Sequence, residues 1–235
     1  MHDDPSIGGA PVVLAFEGVT IPATLSHIAG IEGFSLEARR GEMVLVRVEE
    51  GCERTPLADA AEGLVAPESG RVLFLGEDWA GMGAQRQAAR RGRIRRVFEH
   101  YGWISNLDVM ENICMAECHH TGREEADVQE EAQVLARRFG LEGIPSGRPT
   151  RQPPIRLRKL EWVRAFIGAP DLVILERPLF GAPRADMGRL VESVCGACRN
   201  GAAVLWITDE DRVWECREIG SVRRFRMVAE RLVAM

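Results

Sequence analysis

Four apolar residues, Leu172-Val173-Ile174-Leu175, run without interruption into Glu176, Arg177 and Pro178. A strand covered on one face alternates apolar and polar side chains, whereas an unbroken run calls for cover on both faces. The run Ala202-Ala203-Val204-Leu205-Trp206-Ile207 makes the same demand, and Met187 to Arg199 between them reads as a helix. Buried strands separated by helices imply a mainly parallel sheet with helices on both sides, an α/β fold.

The earlier part of the chain reads largely as strands. Val12 to Val19 and Ile31 to Leu36 are short apolar stretches, and Glu42 to Val48 follows the turn Arg39-Arg40-Gly41. A loop from Glu49 to Arg54 leads into a helix expected from Thr55 to about Leu64, with Thr55 as cap and Pro56 in the first turn. Glu68-Ser69-Gly70 is a turn before the strand Arg71 to Leu75, which Gly76-Glu77-Asp78 closes. Arg123 to Phe139 repeats Val128, Ala132, Leu135 and Phe139 at helical spacing. Gly147 to Pro154 reads as irregular, with a helix following to about Ile167, and Arg224 to Met235 as a terminal hairpin. Arg86, Arg90, Arg91, Arg93, Arg95 and Arg96 read as a solvated basic face, the sharper alternative being a docking surface for an acidic partner.

Composition narrows the function. The chain has 235 residues, 46% hydrophobic and 28% charged, with a net charge of −5, which argues against nonspecific nucleic-acid binding as the main activity. No apolar run approaches the ~18 residues needed to cross a bilayer. Met1-His2-Asp3-Asp4-Pro5 is unlike the positive start of a secretory signal, so the six cysteines are expected to be reduced in a cytosolic setting.

The order of landmarks resembles the ATP-binding domain of ABC transporters from about residue 12 to the end. Phe34-Ser35-Leu36-Glu37 before Arg40-Gly41-Glu42 is similar to the strand pair preceding that family's P-loop, and Ala66 to Val72 to the turn after the P-loop helix. Asn106 to Ile113 resembles the start of the helical subdomain, Arg164 to Asp171 the approach to Walker B, and Leu172 to Pro178 Walker B itself. The resemblance implies one P-loop NTPase (ABC ATPase-like) domain over 1–235. It would have an antiparallel β subdomain at its start and a helical subdomain, roughly 100–165, inserted in the RecA-like core.

At the positions that would touch nucleotide, the resemblance breaks down. Val48-Glu49-Glu50-Gly51-Cys52-Glu53-Arg54-Thr55 stands where the P-loop should be; only Gly51 and Thr55 keep the pattern, with Arg54 a cationic substitute for the Lys. Val48 and Glu53 replace glycines whose task is to let backbone N–H groups approach phosphate. A carboxylate about 4 Å from a phosphate charge costs about 4 kcal/mol at an effective dielectric near 20. Glu99 replaces the metal- and nucleotide-sensing Gln, Asp209 the switch His, and no aromatic lies between Glu17 and Gly33 to stack on adenine. Glu176 holds the place of the metal-side Asp and Arg177 that of the catalytic Glu; a guanidinium does not give up its proton and cannot act as a base. The signature segment aligns with Gln152, Pro153, Pro154, Ile155 and Arg156, where two prolines remove backbone donors.

These losses imply a degenerate, non-hydrolytic subunit with a structural or regulatory role, no catalytic residues and no cofactor. The alternatives are a slow or atypical ATPase that takes ATP with Mg²⁺ weakly through Arg54 and Glu176, and a soluble regulatory platform. The implied partners are a membrane permease on a separate chain, contacted through Tyr101, Trp103 and Ile104, and another ABC-type subunit. The implied location is cytoplasmic, against the inner face of a membrane. Glu53, Arg54, Glu176 and Arg177 are expected to pair with one another in the volume of the nucleotide. Cys195-x-x-Cys198 and Cys114-x-x-x-Cys118-His119-His120 carry zinc-ligand residue types, but an apolar helical stripe accounts for the first pair and no metal site is expected.

Overall fold

The computed structural model describes residues 9–49, 55–100, 102–216, 219, 222–228 and 231–234. Two sheets organise them. β1 (Val12–Ile21) pairs antiparallel with β2 (Ile31–Arg39) on one side and with β4 (Ser69–Phe74) on the other, and β5 (Glu77–Asp78) extends β4. Leu75 and Gly76 close β4 with a turn, and Glu77-Asp78 beyond it is a short strand. Gly70 adopts φ 81°, and a Cβ there would strike the backbone of Gly18, so β1 and β4 approach too closely for any side chain.

The second sheet runs β10-β9-β3-β8-β7-β6. Its parallel part comprises β3 (Met43–Val48), β6 (Ile94–Val97), β7 (Leu172–Glu176), β8 (Ala203–Thr208) and β9 (Val222–Val228). β10 (Arg231–Ala234) turns back on β9 as the expected hairpin. The unbroken apolar runs are explained by burial on both faces. Val44, Val46, Ile174, Leu205 and Ile207 face a core shared with the antiparallel sheet, while Leu45, Val173, Leu175, Val204 and Trp206 face a core built with helices.

β6 is a strand that hydrophobic patterning misses, because Arg95 and Arg96 occupy its middle. The arginines of this region form a solvated face only in part: Arg86 and Arg93 are exposed, whereas Arg90, Arg91 and Arg96 are half-buried and Arg95 is buried. Arg95 Nη2 donates to buried Glu117 at 2.6 Å, and Arg93 Nε donates to Asp171 at 2.6 Å. From α2 (Ala84–Arg91), Arg91 donates to the carbonyls of Glu62 and Gly63 at 2.8 and 2.9 Å, and Arg90 pairs with Glu77.

α1 spans Leu57–Ala61, shorter than expected. Pro56 sits at its N-cap with no side-chain capping bond, so Thr55 does not cap it. Between β6 and β7 come α3 (Val109–Thr121), α4 (Glu125–Arg138) and α5 (Pro154–Phe166). Asp108 and Glu111 form a capping box at the start of α3. Buried Asn112 exchanges bonds with the backbone of Ile104 at 2.8 and 3.0 Å and fixes the preceding loop. α6 (Met187–Arg199) links β7 to β8, and α7 (Asp211–Trp214) follows β8. No helix among the described residues is long and apolar enough to cross a membrane.

Candidate functional site

In an open parallel sheet, ligands gather at the carboxyl ends of the strands. Val48 ends β3, Glu176 ends β7, Glu99 lies just past β6 and Asp209 just past β8. The topology therefore gathers the residues singled out in the sequence at one edge. Gly51, Glu53 and Arg54 lie outside the described residues, as do Cys52 and Tyr101.

Two guanidinium groups organise the edge. Arg177 donates from Nη1 to Glu99 Oε1 at 2.9 Å and from Nη2 to Asp209 Oδ2 at 2.7 Å. It thereby joins the segments beyond three strands, and its backbone N–H donates to the Ile207 carbonyl at 2.8 Å. The residue holds φ 42°, a left-handed conformation that costs a non-glycine residue on the order of 1–3 kcal/mol and is kept because its bonds over-determine it. Burial opposes the charge on Arg177, but the bonds to Asp209 and Glu99 prevail and raise its pKa further.

Arg96 is the second centre. Nε donates to Glu176 Oε2 at 2.7 Å, and Nη1 donates to Asp59 Oδ1 at 2.6 Å and to Glu62 Oε2 at 2.7 Å. The guanidinium also lies 4.7 Å from the centre of the Phe98 ring. Burial pushes the Glu62 and Glu176 carboxyls upward despite the opposing pull of Arg96. For Asp59 burial also acts upward, but the bonds and charges of Arg96 and His27 outweigh it and lower the pKa. His27 Nε2 lies 2.8 Å from Asp59 Oδ2.

A cleft of 190 Å³ opens beside this cluster, lined among others by His27, Thr55, Asp59, Arg96, Glu99 and Glu176. Thr55 Oγ1 is buried at this cleft with no hydrogen-bond partner among the described residues. Behind it, α5 fastens the segment after β6. Arg158 donates to the carbonyls of Phe98 and Glu99 at 2.7 and 2.8 Å and to Glu161 at 2.8 Å. Glu161 accepts from the Gly102 amide at 3.2 Å, and Arg164 donates to the Gly102 carbonyl at 2.6 Å.

The expected four-membered pairing of Glu53, Arg54, Glu176 and Arg177 needs correcting in its described half. Glu176 and Arg177 adjoin in sequence but turn to different partners, because the left-handed backbone at Arg177 sends its side chain toward Glu99 and Asp209. The partners that sequence reasoning missed are His27, Asp59, Glu62 and Arg96. The one available signal for Arg96 was a charged residue inside the short apolar frame Ile94 to Phe98.

The signature-like segment makes its described bonds elsewhere. Pro153 is the N-cap of α5 and Pro154 its first residue, Gln152 reaches the Ser146 carbonyl at 3.5 Å, and Arg156 donates to Gln152 at 3.2 Å. Ile155 is half-buried. Trp103 packs beneath Arg164 at 4.9 Å, and Ile104 is exposed.

Mg²⁺, which the resemblance implies, requires several oxygens in near-octahedral array at about 2.0–2.1 Å. Thr55 Oγ1 could serve as one of them. The acidic residues do not fit: Glu176 is held by Arg96, Glu99 is held by Arg177, and among the described residues no three His, Cys, Asp or Glu side chains gather as metal ligands. The same holds for the cysteine and histidine clusters; burial pushes the Cys114 thiol up to about 12 and Cys198 up to about 11.

Comparison with known proteins places this geometry in context. A family model described as ABC transporter matches residues 31–179. The phosphonates import ATP-binding protein PhnC of Alcaligenes faecalis is 26% identical over 176 residues, covering 72% of this chain and 64% of the relative. The sulfate/thiosulfate import ATP-binding protein CysA of Xanthomonas campestris pv. campestris is 28% identical over 167 residues, covering 70% of this chain and 47% of the relative. The chain thus spans about half to two thirds of the length of these two relatives. A dimeric ATP-binding cassette solved after hydrolysis with ADP and Pi matches the fold with TM-score 0.81 at 15% identity, over 93% of this chain and 96% of the other. The expectation that no cofactor belongs to this chain is overturned by these findings, since the relatives are ATP-binding proteins and the solved neighbour holds a nucleotide. With the model matched over well over half of its length, the chain belongs to the ABC transporter family.

Proposed function

We propose that the chain is an ATP-binding subunit of an ABC transport assembly that holds nucleotide without turning it over, in a structural or regulatory role. The observation that carries this reading is Arg177, whose guanidinium joins Glu99 and Asp209 at 2.9 and 2.7 Å. All three stand where the resemblance places groups that act on the nucleotide's outer phosphate. Here one guanidinium holds both carboxylates, and none of the three is a free carboxylate or imidazole ready to take a proton from water. Thr55 Oγ1, unpartnered at the cleft among the described residues, supports nucleotide as the ligand.

Residues 1–235 are read as one such domain, with α3 to α5 as its inserted helical lobe. Its partners are a membrane permease on a separate chain and a second ABC-type subunit, and its location is cytoplasmic at a membrane face. Exposed Ile104, together with Trp103 and Tyr101, is the proposed permease contact.

The test measures ATP binding by calorimetry and phosphate release on the same protein, alone and with its membrane partner. Binding with no release above buffer is expected. Arg177→Glu should bind ATP and still release none, because Glu99 and Asp209 leave the new carboxylate in a repulsive triad rather than beside a water. Release on the order of 1 s⁻¹ by the unaltered chain, in the range of working enzymes, would overturn the reading in favour of a slow ATPase.

A further inference from the structure

Asp59 on α1, Glu62 just after it and Glu176 at the end of β7 come from segments far apart in sequence, yet all three direct a carboxylate oxygen at one side chain. That side chain, Arg96, is only 9% exposed, and Glu62 and Glu176 are each 13% exposed. Three carboxylates brought together in a shielded pocket repel one another unless a cation is supplied. Proteins commonly supply it as a divalent metal held by oxygens. Here the oxygens stand 2.6–2.7 Å from guanidinium nitrogens, the distance of charge-assisted hydrogen bonds.

We propose that Arg96 is the built-in cation of this cleft, its guanidinium supplying to Asp59, Glu62 and Glu176 the neutralising charge that a divalent metal would otherwise bring. Arginine suits the position because its charge is permanent and its planar fork offers several donors in fixed directions. The Phe98 ring on its face, with centroid 4.7 Å away, limits rotation and favours the cation. A metal entering beside Glu176 would meet that guanidinium and find the carboxylate oxygen already taken. The native cleft is therefore indifferent to divalent cations, and removing the guanidinium converts it into a site that responds to them.

This inference concerns the same cleft as the nucleotide reading and rests on it only for the identity of the metal. Its test contains no nucleotide, so the two can fail separately. Thermal unfolding of the native chain is followed in chelator and in about 5 mM Mg²⁺ or Mn²⁺, alongside Arg96→Ala. A ligand that binds only the folded state raises its melting temperature in proportion to the logarithm of its saturation. The native chain is expected to move by less than about 1 °C, and Arg96→Ala to gain several degrees from either metal. A comparable rise in the native chain would overturn the proposal, and so would a folded Arg96→Ala that ignores both metals. Should Arg96→Ala not fold, Mn²⁺ calorimetry on the native chain decides: no binding at millimolar metal supports the proposal, and a micromolar site at the cleft, lost in Glu176→Gln, refutes it.

Discussion

Glu62 and Glu176 share one guanidinium, and burial pushes both carboxyls above their ordinary range although Arg96 pulls the other way. A raised folded-state pKa means that the folded chain holds its proton to higher pH than the unfolded chain does. Stability from each group is therefore fully present below about pH 4.5 and declines as pH rises through the folded value, by up to about 1.4 kcal/mol per pH unit and proton. Glu62→Gln removes one of these protons while keeping the shape. It is expected to cost about 1–3 kcal/mol at pH 5, through its weakened bond to Arg96, and to cost less at pH 7. Denaturant unfolding of both proteins across that range checks the sign; a cost that grows with pH would show that folding does not raise the pKa of Glu62. At this scale the sequence exposed one half of the site. Glu99, Glu176, Arg177 and Asp209 stood out because they depart from a recognisable pattern at known stations. Arg96 did not, because it sat in a row of arginines that on hydropathy alone looks solvated, and only the strand pairing of β6 with β7 shows it turned inward.

Among the elements, α5 does most to shape the site's rim. Its Arg158, Glu161 and Arg164 recur one turn apart and together hold Phe98, Glu99 and Gly102 by the backbone. Side chains three apart share a helix face, so one rigid face grips an otherwise irregular segment. Arg158 and Glu161 are almost wholly buried, and removing one member of such a pair leaves an uncompensated charge. Arg158→Leu is thus expected to destabilise the chain by about 3–5 kcal/mol. It should also speed amide exchange at Gly102 and Ile104 more than in β3 or β8. Uniform acceleration at all sites would show that Arg158 supports the general core rather than this segment. The apolar face of α5 was visible in the sequence as a helix running to about Ile167. Its polar grip was not, because the groups it holds are backbone atoms whose positions no side-chain pattern encodes.

Across the whole molecule, β3, β7 and β8 are shared property of two cores. Successive residues of a strand point to opposite faces, so Leu205 belongs to the core under the antiparallel sheet and Trp206 to the core under the helices. The same alternation runs through Val44 and Leu45, and through Ile174 and Leu175, which the register aligns beside them. This is why unbroken apolar runs were the strongest statement the sequence made about the fold: a strand with one solvated face could not carry them. The antiparallel sheet packs on one face of these strands and the helices on the other, so both cores are built against the same sheet. Leu205→Ala and Trp206→Ala lie next to each other yet open cavities on opposite faces, each costing about 2–5 kcal/mol. If the shared sheet binds the two cores into one unit, each substitution lowers a single unfolding transition, by roughly 2–4 °C per kcal/mol for a chain of this size. That transition then stays coincident by tryptophan fluorescence and far-ultraviolet circular dichroism. If the two faces unfold separately, Trp206→Ala splits the transition, with the helical side melting first while β1, β2 and β4 persist. The double substitution sharpens the distinction: residues in contact through one sheet should show a coupling of about 0.5 kcal/mol or more, whereas independent cores give additive costs.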